Sequence, residues 1–466
     1  IDPIAYIFEG TQIKLNSMEP YDLILGGSIV LIASYFANIL AKKTNIPAVL
    51  MLMVIGYVIQ QFVGVDQKDL LGALNILGPI GVILIVLEAS LDLKLEKEKT
   101  GLILKATGLA IILLFVTSAA IALALTAFLD MSFYTGLLYA VPLSVLSSAV
   151  IIPSVGGLID IKKELLIYES AISDIVGIIL FYALLPFGEE GAGGGEIIHT
   201  LSDLGLTILL SVVFSYVLII LFQYVTEGAK LFLLMATLVG LYAAGKQLHL
   251  SPLPLIMVFG LALNNQKVFF RGGLKHLVDE SKLKHILHDL HFITLETAFL
   301  VRTFFFVAFG MSIVLGDLVH WSVPLITLFA IVAIYGSRFV GLRVAMGKDI
   351  TPEIFVAPRG LITVLLFYSI PAELASEEFQ PGILLLTILV TSLVMTFGLI
   401  REAKVGTGMA DSEGEKTEES KEETASSEGE NQASPSTTEA GSPTQPKEPK
   451  VMVPFPKPQE PASNES

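Results

Sequence analysis

Seven residues, Tyr168-Glu169-Ser170-Ala171-Ile172-Ser173-Asp174, carry two carboxylates directly into the apolar run Ile175 to Leu185. A carboxylate at bilayer depth costs several kcal/mol unless it is partnered or takes up a proton, so an intramembrane acid marks an ion or proton route. On a helix Ser170 and Asp174 are four residues apart and share a face, and Glu169 and Ser173 share a neighbouring one. Asp174 with the hydroxyls of Ser170, Ser173, Ser147 and Ser148 would offer hard oxygen ligands, which suit a small alkali cation and not a transition metal. Loss of water opposes the bare charge, so proton and cation would compete for one carboxylate, which is enough to couple two fluxes. Ser147 and Ser148 can equally bond back to the preceding helical turn.

Further charges stand out well inside apolar segments. Arg359, in Ala357-Pro358-Arg359-Gly360-Leu361, sits about as deep as Glu169 and enters from the same side, so the two are expected to pair. A buried pair of this kind fixes geometry and does not carry ions. Arg302 lies at about the depth of Asp174 and either neutralises that carboxylate or holds Glu88; spacing leaves both open. Glu296 lies nearer an end of its segment. His285, His288 and His291, with Asp289 among them, titrate in the physiological range as a pH sensor would, or else form the polar face of an amphipathic surface helix. The chain has no phosphate-binding glycine loop, so transport would run on an ion gradient and not on ATP. It is not expected to be an enzyme, to hold a cofactor or resident metal, or to bind nucleic acid.

The elements that must position these residues follow from composition. Apolar residues make up 53% of the 466-residue chain against 16% charged, and the mean hydropathy is +0.73. This is the balance of a polytopic membrane protein and not of a soluble domain. The absence of cysteine excludes disulfide frameworks, thiolate metal sites and thiol catalysis. The net charge of −15 is unevenly spread: from Val405 onward there are 13 acids and 5 bases, a difference of −8. That stretch, 405–466, is rich in Glu, Ser, Thr, Pro and Gly and cannot bury enough surface to fold alone, so it reads as a disordered acidic tail. The chain begins at Ile1 without a methionine, which suggests a missing or processed leading piece, and it has no signal-peptide pattern.

Apolar windows long enough to cross roughly 30 Å of hydrocarbon at about 1.5 Å per helical residue recur thirteen times. They cover 21–40, 47–63, 75–92, 102–128, 134–158, 164–186, 202–223, 231–245, 251–264, 291–315, 321–345, 353–371 and 381–400. Connections after odd-numbered segments are basic, as at Lys42 and Lys43, Lys162 and Lys163, and Lys267 to Lys284. Those after even-numbered segments are neutral or acidic, as at Gly188-Glu189-Glu190 and Glu373 to Glu378, with Lys68 and Lys246 the exceptions. The positive-inside rule then places the N-terminal segment 1–20 outside and the tail in the cytoplasm. The third segment and the tenth resemble each other seven places apart and so cross in opposite senses. This implies inverted repeats over about 21–186 and 231–400, linked by a helix at about 202–223. In that register segment five, with Pro142, Pro153, Gly156 and Gly157, matches segment twelve, with Pro358 and Gly360. Both are expected to be interrupted helices at an ion site, although Pro and Gly are also ordinary in membrane helices.

At these residues, and across all thirteen segments, the chain resembles the monovalent cation/proton antiporter superfamily. It is most similar to the sodium/proton exchangers whose sixth span carries Glu-Ser-x-x-Asn-Asp, here Glu169 to Asp174, and whose twelfth begins near Arg-Gly, here Arg359-Gly360. The resemblance implies that Asp174 binds cation and proton alternately, that Ser170 is a ligand and that Glu169 pairs with Arg359. It also implies an all-α antiporter fold with two crossed, unwound helices, and a homodimer in a lipid bilayer whose mobile core moves like an elevator. Two positions depart from the pattern. Ser173 stands in place of Asn, or of the first Asp of electrogenic members, and Ser147-Ser148-Ala149 stands in place of Thr-Asp-Pro. The expected activity is exchange of Na+ or K+ for H+, electroneutral at one for one, in pH homeostasis at a bacterial cell membrane. The alternative is a non-transporting or channel-like sensor whose polar core is structural and whose tail signals.

Overall fold

In hydrocarbon every backbone N–H and C=O must be satisfied within its own segment, which leaves the apolar windows of this chain one regular structure, the helix. The computed structural model describes residues 20–402 apart from 45, 64–66, 186, 188–193, 225–229, 248–252, 314–315, 317, 319 and 377. The expected tail, residues 1–19 and the acidic loop at 188–190 lie outside the described residues. Among the described residues the long elements are all helices. They are α1 (Pro20–Thr44), α2 (Ala48–Val63), α3 (Gln67–Asp92), α4 (Thr100–Leu129), α5 (Phe133–Ser144), α6 (Ser148–Ser154), α7 (Asp160–Leu184), α8 (Gly194–Phe222), α9 (Lys230–Gln247), α10 (Leu253–Asn264), α11 (Glu280–Met311), α12 (Ser322–Met346), α13 (Leu361–Tyr368) and α14 (Pro381–Glu402).

Eight spans among the described residues are long and apolar enough to cross a membrane, and Ala48–Val63, Phe232–Gly245 and Leu253–Asn264 are shorter apolar helices. Two of the expected segments are not continuous helices. The fifth is broken at Val145–Ser147 between α5 and α6, and the twelfth is turn and extended chain from 353 to 360 before α13 begins.

The helices pack in two sets. In one, α11 lies along α2 and α3, and α10 packs on α3 and α8. In the other, α4 packs on α5, α7 and α12, and the short α6 and α13 lie against α7 and α5 respectively. The first set is pinned where α2 and α11 cross: a Cβ on Gly56 would strike the Val307 carbonyl, and one on Gly310 would strike the Met53 carbonyl. Backbones this close admit only glycine at either position. Gly310→Ala is therefore expected to force the helices apart at about 1–3 kcal/mol, the usual cost of overpacking. Thermal unfolding in detergent should show a clear drop in midpoint, and an unchanged midpoint would mean that the crossing relaxes freely.

Local signals set the helix starts. Asp279 caps α11 by accepting the backbone N–H groups of Ser281 (3.0 Å) and Lys282 (3.4 Å). These bonds, with the Ser281 hydroxyl foremost, hold its carboxyl below the usual range. Ser132 caps α5 by accepting the Thr135 N–H at 3.0 Å.

Candidate ion-binding site

Pro142 lies in the last turn of α5, and Val145 leaves the helix in an extended conformation. The break strips in-helix partners from the next amides, and each finds another. The Leu146 N–H donates to Ser173 Oγ at 3.0 Å. The Ser147 N–H donates to the Pro358 carbonyl at 3.1 Å. The Ser148 N–H donates to Asp174 Oδ2 at 3.1 Å. The second of these bonds joins the two interrupted segments at their breaks, so the broken chains cross there. The crossing requires Gly360, because a Cβ at that position would run into Ser147 Oγ and come within 2.9 Å of Ser147 Cβ and 3.1 Å of Val150 Cγ2.

Asp174 is 1% exposed. Its Oδ2 is held by Ser148, and its Oδ1 is buried with no hydrogen-bond partner among the described residues. A buried carboxylate oxygen without a donor is a desolvated acceptor, a state it shares with both oxygens of Glu353, but only Asp174 holds such an oxygen at the crossing of the two breaks. A free carboxylate oxygen has the chemistry to accept a proton or to coordinate a cation. Of the expected serine ligands, Ser147, Ser148 and Ser173 gather at the crossing. Ser170 is fully buried in α7, but its hydroxyl donates to the Ile167 carbonyl of its own helix at 3.2 Å.

The expected pair of Glu169 with Arg359 is not formed. Glu169, fully buried, is gripped by Arg338 of α12, with Nη1 to Oε1 at 2.6 Å and Nη2 to Oε2 at 3.1 Å. Arg338 Nε also donates to the Glu353 carbonyl at 2.8 Å. Arg359 instead sits in the second break. Its Nε donates to the Leu143 carbonyl at 2.7 Å and its Nη1 to the Ala357 carbonyl at 2.9 Å. The reason is local: a helix that stops at Ser144 leaves orphan carbonyls in its last turn, and a guanidinium directed at that end satisfies them. The Arg359 N–H is accepted by Thr391 Oγ1 of α14 at 3.1 Å.

The choice left open for Arg302 falls on Glu88, with Nη2 to Oε2 at 2.6 Å. One turn further along α3, Asp92 Oδ1 meets His291 Nε2 at 2.7 Å, while His285 and His288 are exposed. Sequence reasoning missed Arg338 as a site residue, and missed Glu353, which is fully buried with Lys162 Nζ at 3.7 Å from its Oε2. Their signal was a charge within or at the edge of an apolar segment.

A cavity of about 400 Å³ lies between the two helix sets, walled by Asn38 and Ala41 of α1, by Ile46, Pro47, Ala48, Val49 and Leu52 at the start of α2, by Phe299, Arg302 and Thr303 of α11, and by Ala149, Val150, Pro153, Ser154, Gly156 and Gly157. Ala149 and Val150 directly follow Ser148, the residue that holds Asp174.

A buried carboxylate with one unpaired oxygen, where two broken helices cross in a bundle of membrane-crossing helices, is the arrangement of a secondary ion transporter. The family model for the sodium/hydrogen exchanger transmembrane region matches residues 27–401, and the chain belongs to that family. It is therefore a cation/proton antiporter by family and not an enzyme. Its fold is similar to that of the sodium proton antiporter MjNhaP1 from Methanocaldococcus jannaschii. The structure of that protein at pH 8 aligns with a TM-score of 0.63 at 20% identity, covering 83% of this chain and 97% of that one. An electron-microscopy structure of the same antiporter aligns with a TM-score of 0.60 at 18% identity, covering 84% and 97%.

Proposed function

We propose that this protein exchanges Na+ or K+ for H+ at one for one, with Asp174 taking cation and proton in turn. The reading rests on one observation above all, the buried Oδ1 of Asp174 without a hydrogen-bond partner among the described residues. A proton on that oxygen neutralises the carboxylate, a cation neutralises it equally well, and the two exclude each other. Ser173, Ser147 and Ser148 surround the carboxylate as the polar neighbours of the ion. Glu169 with Arg338, and Arg359 on the carbonyls of Leu143 and Ala357, hold the crossing in shape. The set containing α4–α7 and α12–α14 carries the site and moves against the other set as an elevator, within a homodimer. By the charge of its connections, the end bearing Lys42, Lys43, Lys162 and Lys163 faces the cytoplasm, so the 400 Å³ cavity is the cytoplasmic approach to Asp174. The two helix sets are not the inverted repeats, which run about 21–186 and 231–400 through both.

Proton-coupled uptake of sodium, potassium and lithium into reconstituted vesicles tests the proposal. Saturable flux that reverses with the imposed gradient supports exchange, and non-saturating flux without proton movement sinks it.

Electroneutrality follows from Ser173, whose hydroxyl cannot release a proton in the working pH range, and from the engagement of Arg302 by Glu88 rather than by Asp174. Solid-supported-membrane recordings should show no sustained transport current. A current that scales with imposed potential and persists in Arg302→Ala would mean that a second charge moves per cycle.

A further inference from the structure

We propose that the Glu88–Arg302 pair sets the affinity with which cations are admitted from the cavity to Asp174, Glu88 serving as the counter-charge that stops the Arg302 guanidinium from repelling them. The proposal rests on the reading above, in that the cation passes through this cavity.

Among the described residues that line the cavity, Arg302 alone is charged; the remaining wall is apolar or neutral, with Asn38, Ser154 and Thr303 its polar side chains. A permanent positive charge on the wall of a cation route would be a barrier, because a guanidinium keeps its proton under all working conditions. Glu88 cancels it through the 2.6 Å contact to Nη2. The two side chains are only 18% and 15% exposed, so water does little of the screening. Asp92, one turn along α3 from Glu88, is itself engaged by His291 at 2.7 Å.

The pair joins α3 to α11, and these helices already pack along each other within one set. A purely structural bridge would therefore make both single substitutions harmful in the same sense. The electrostatic role predicts opposite senses. Removing Glu88 leaves a bare guanidinium facing the ion, and removing Arg302 leaves a bare carboxylate that attracts it. A unit charge about 10 Å away at an effective dielectric of about 20 changes cation affinity on the order of tenfold.

The test measures the KM for Na+ at fixed pH in vesicles carrying the full chain, for Glu88→Gln, Arg302→Gln and the double variant. Glu88→Gln should raise KM about tenfold, Arg302→Gln should lower it several-fold, and the double variant, neutral again, should return to within about twofold of the parent. Singles that shift KM in the same direction, or a double variant that keeps the raised KM, would overturn the proposal. Should Glu88→Gln not fold, Arg302→Gln and the double variant decide alone by the same criteria. Na+-induced thermal stabilisation in detergent separates this claim from the parent reading. If the wild type stabilises with Na+ but does not exchange, the antiporter reading fails, while opposite shifts in the two singles still uphold the role of the pair.

Discussion

Asp174→Asn is expected to abolish proton-coupled cation flux while leaving the chain folded. The amide keeps the shape of the side chain and can still accept the Ser148 N–H that holds Oδ2 at 3.1 Å. It can neither take up a proton nor present a negative oxygen to a cation, so both halves of the exchange are lost together. Folding is spared for the same reason that marks the residue as functional: Oδ1 has no described donor to lose, and replacing a half-satisfied buried carboxylate by a neutral group removes a desolvation cost. Flux in vesicles together with a thermal unfolding curve checks both parts. Full exchange by the variant would place the ion elsewhere.

The second large effect is on stability. Glu169→Gln or Arg338→Met should each cost roughly 3–5 kcal/mol, because each leaves one fully desolvated charge without its partner. Both side chains are at most 2% exposed and meet through two hydrogen bonds. The loss should exceed that of Asp174→Asn, and the double variant should recover part of it, giving a strong coupling energy in a double-mutant cycle. The same cycle run on Glu169 with Arg359 should be much closer to additive, since Arg359 is engaged by the carbonyls of Leu143 and Ala357. Strong coupling there and additivity for Arg338 would reverse the assignment.

The contrast between those two arginines shows what the sequence could and could not reveal. Glu169 and Asp174 were legible because a carboxylate inside an apolar run has few bland explanations. The two breaks were legible because Pro142, Pro153, Pro358 and Gly360 stand at matching positions of two apolar segments, although Pro142 and Pro153 lie within α5 and α6 on either side of the first break. The partner of Glu169 was not. Depth along the membrane is one coordinate, and it selected Arg359; the rotation of each helix is a second, and it brings Arg338 of α12 to the carboxylate. Arg338 also lies far enough along its helix to read as the start of a basic connection. Orientation likewise separated the serines: Ser170 has the right spacing to Asp174, yet its hydroxyl turns back to Ile167. Ser148 meets Asp174 through its backbone N–H, a group that no pattern of side chains discloses. The Glu88–Arg302 contact was one of two options that spacing allowed, and packing of α3 on α11 decided between them.

The claim that cation and proton share one carboxylate is tested most directly by counting the protons released as Na+ binds. Calorimetric titration of the detergent-solubilised protein in two buffers of different ionisation enthalpy gives that number without any transport assay. As pH is lowered until Asp174 is fully protonated, the number should rise to one proton per Na+, and binding should vanish in Asp174→Asn. Sodium that binds with no proton released at any pH, or binds unchanged to Asp174→Asn, would contradict the account.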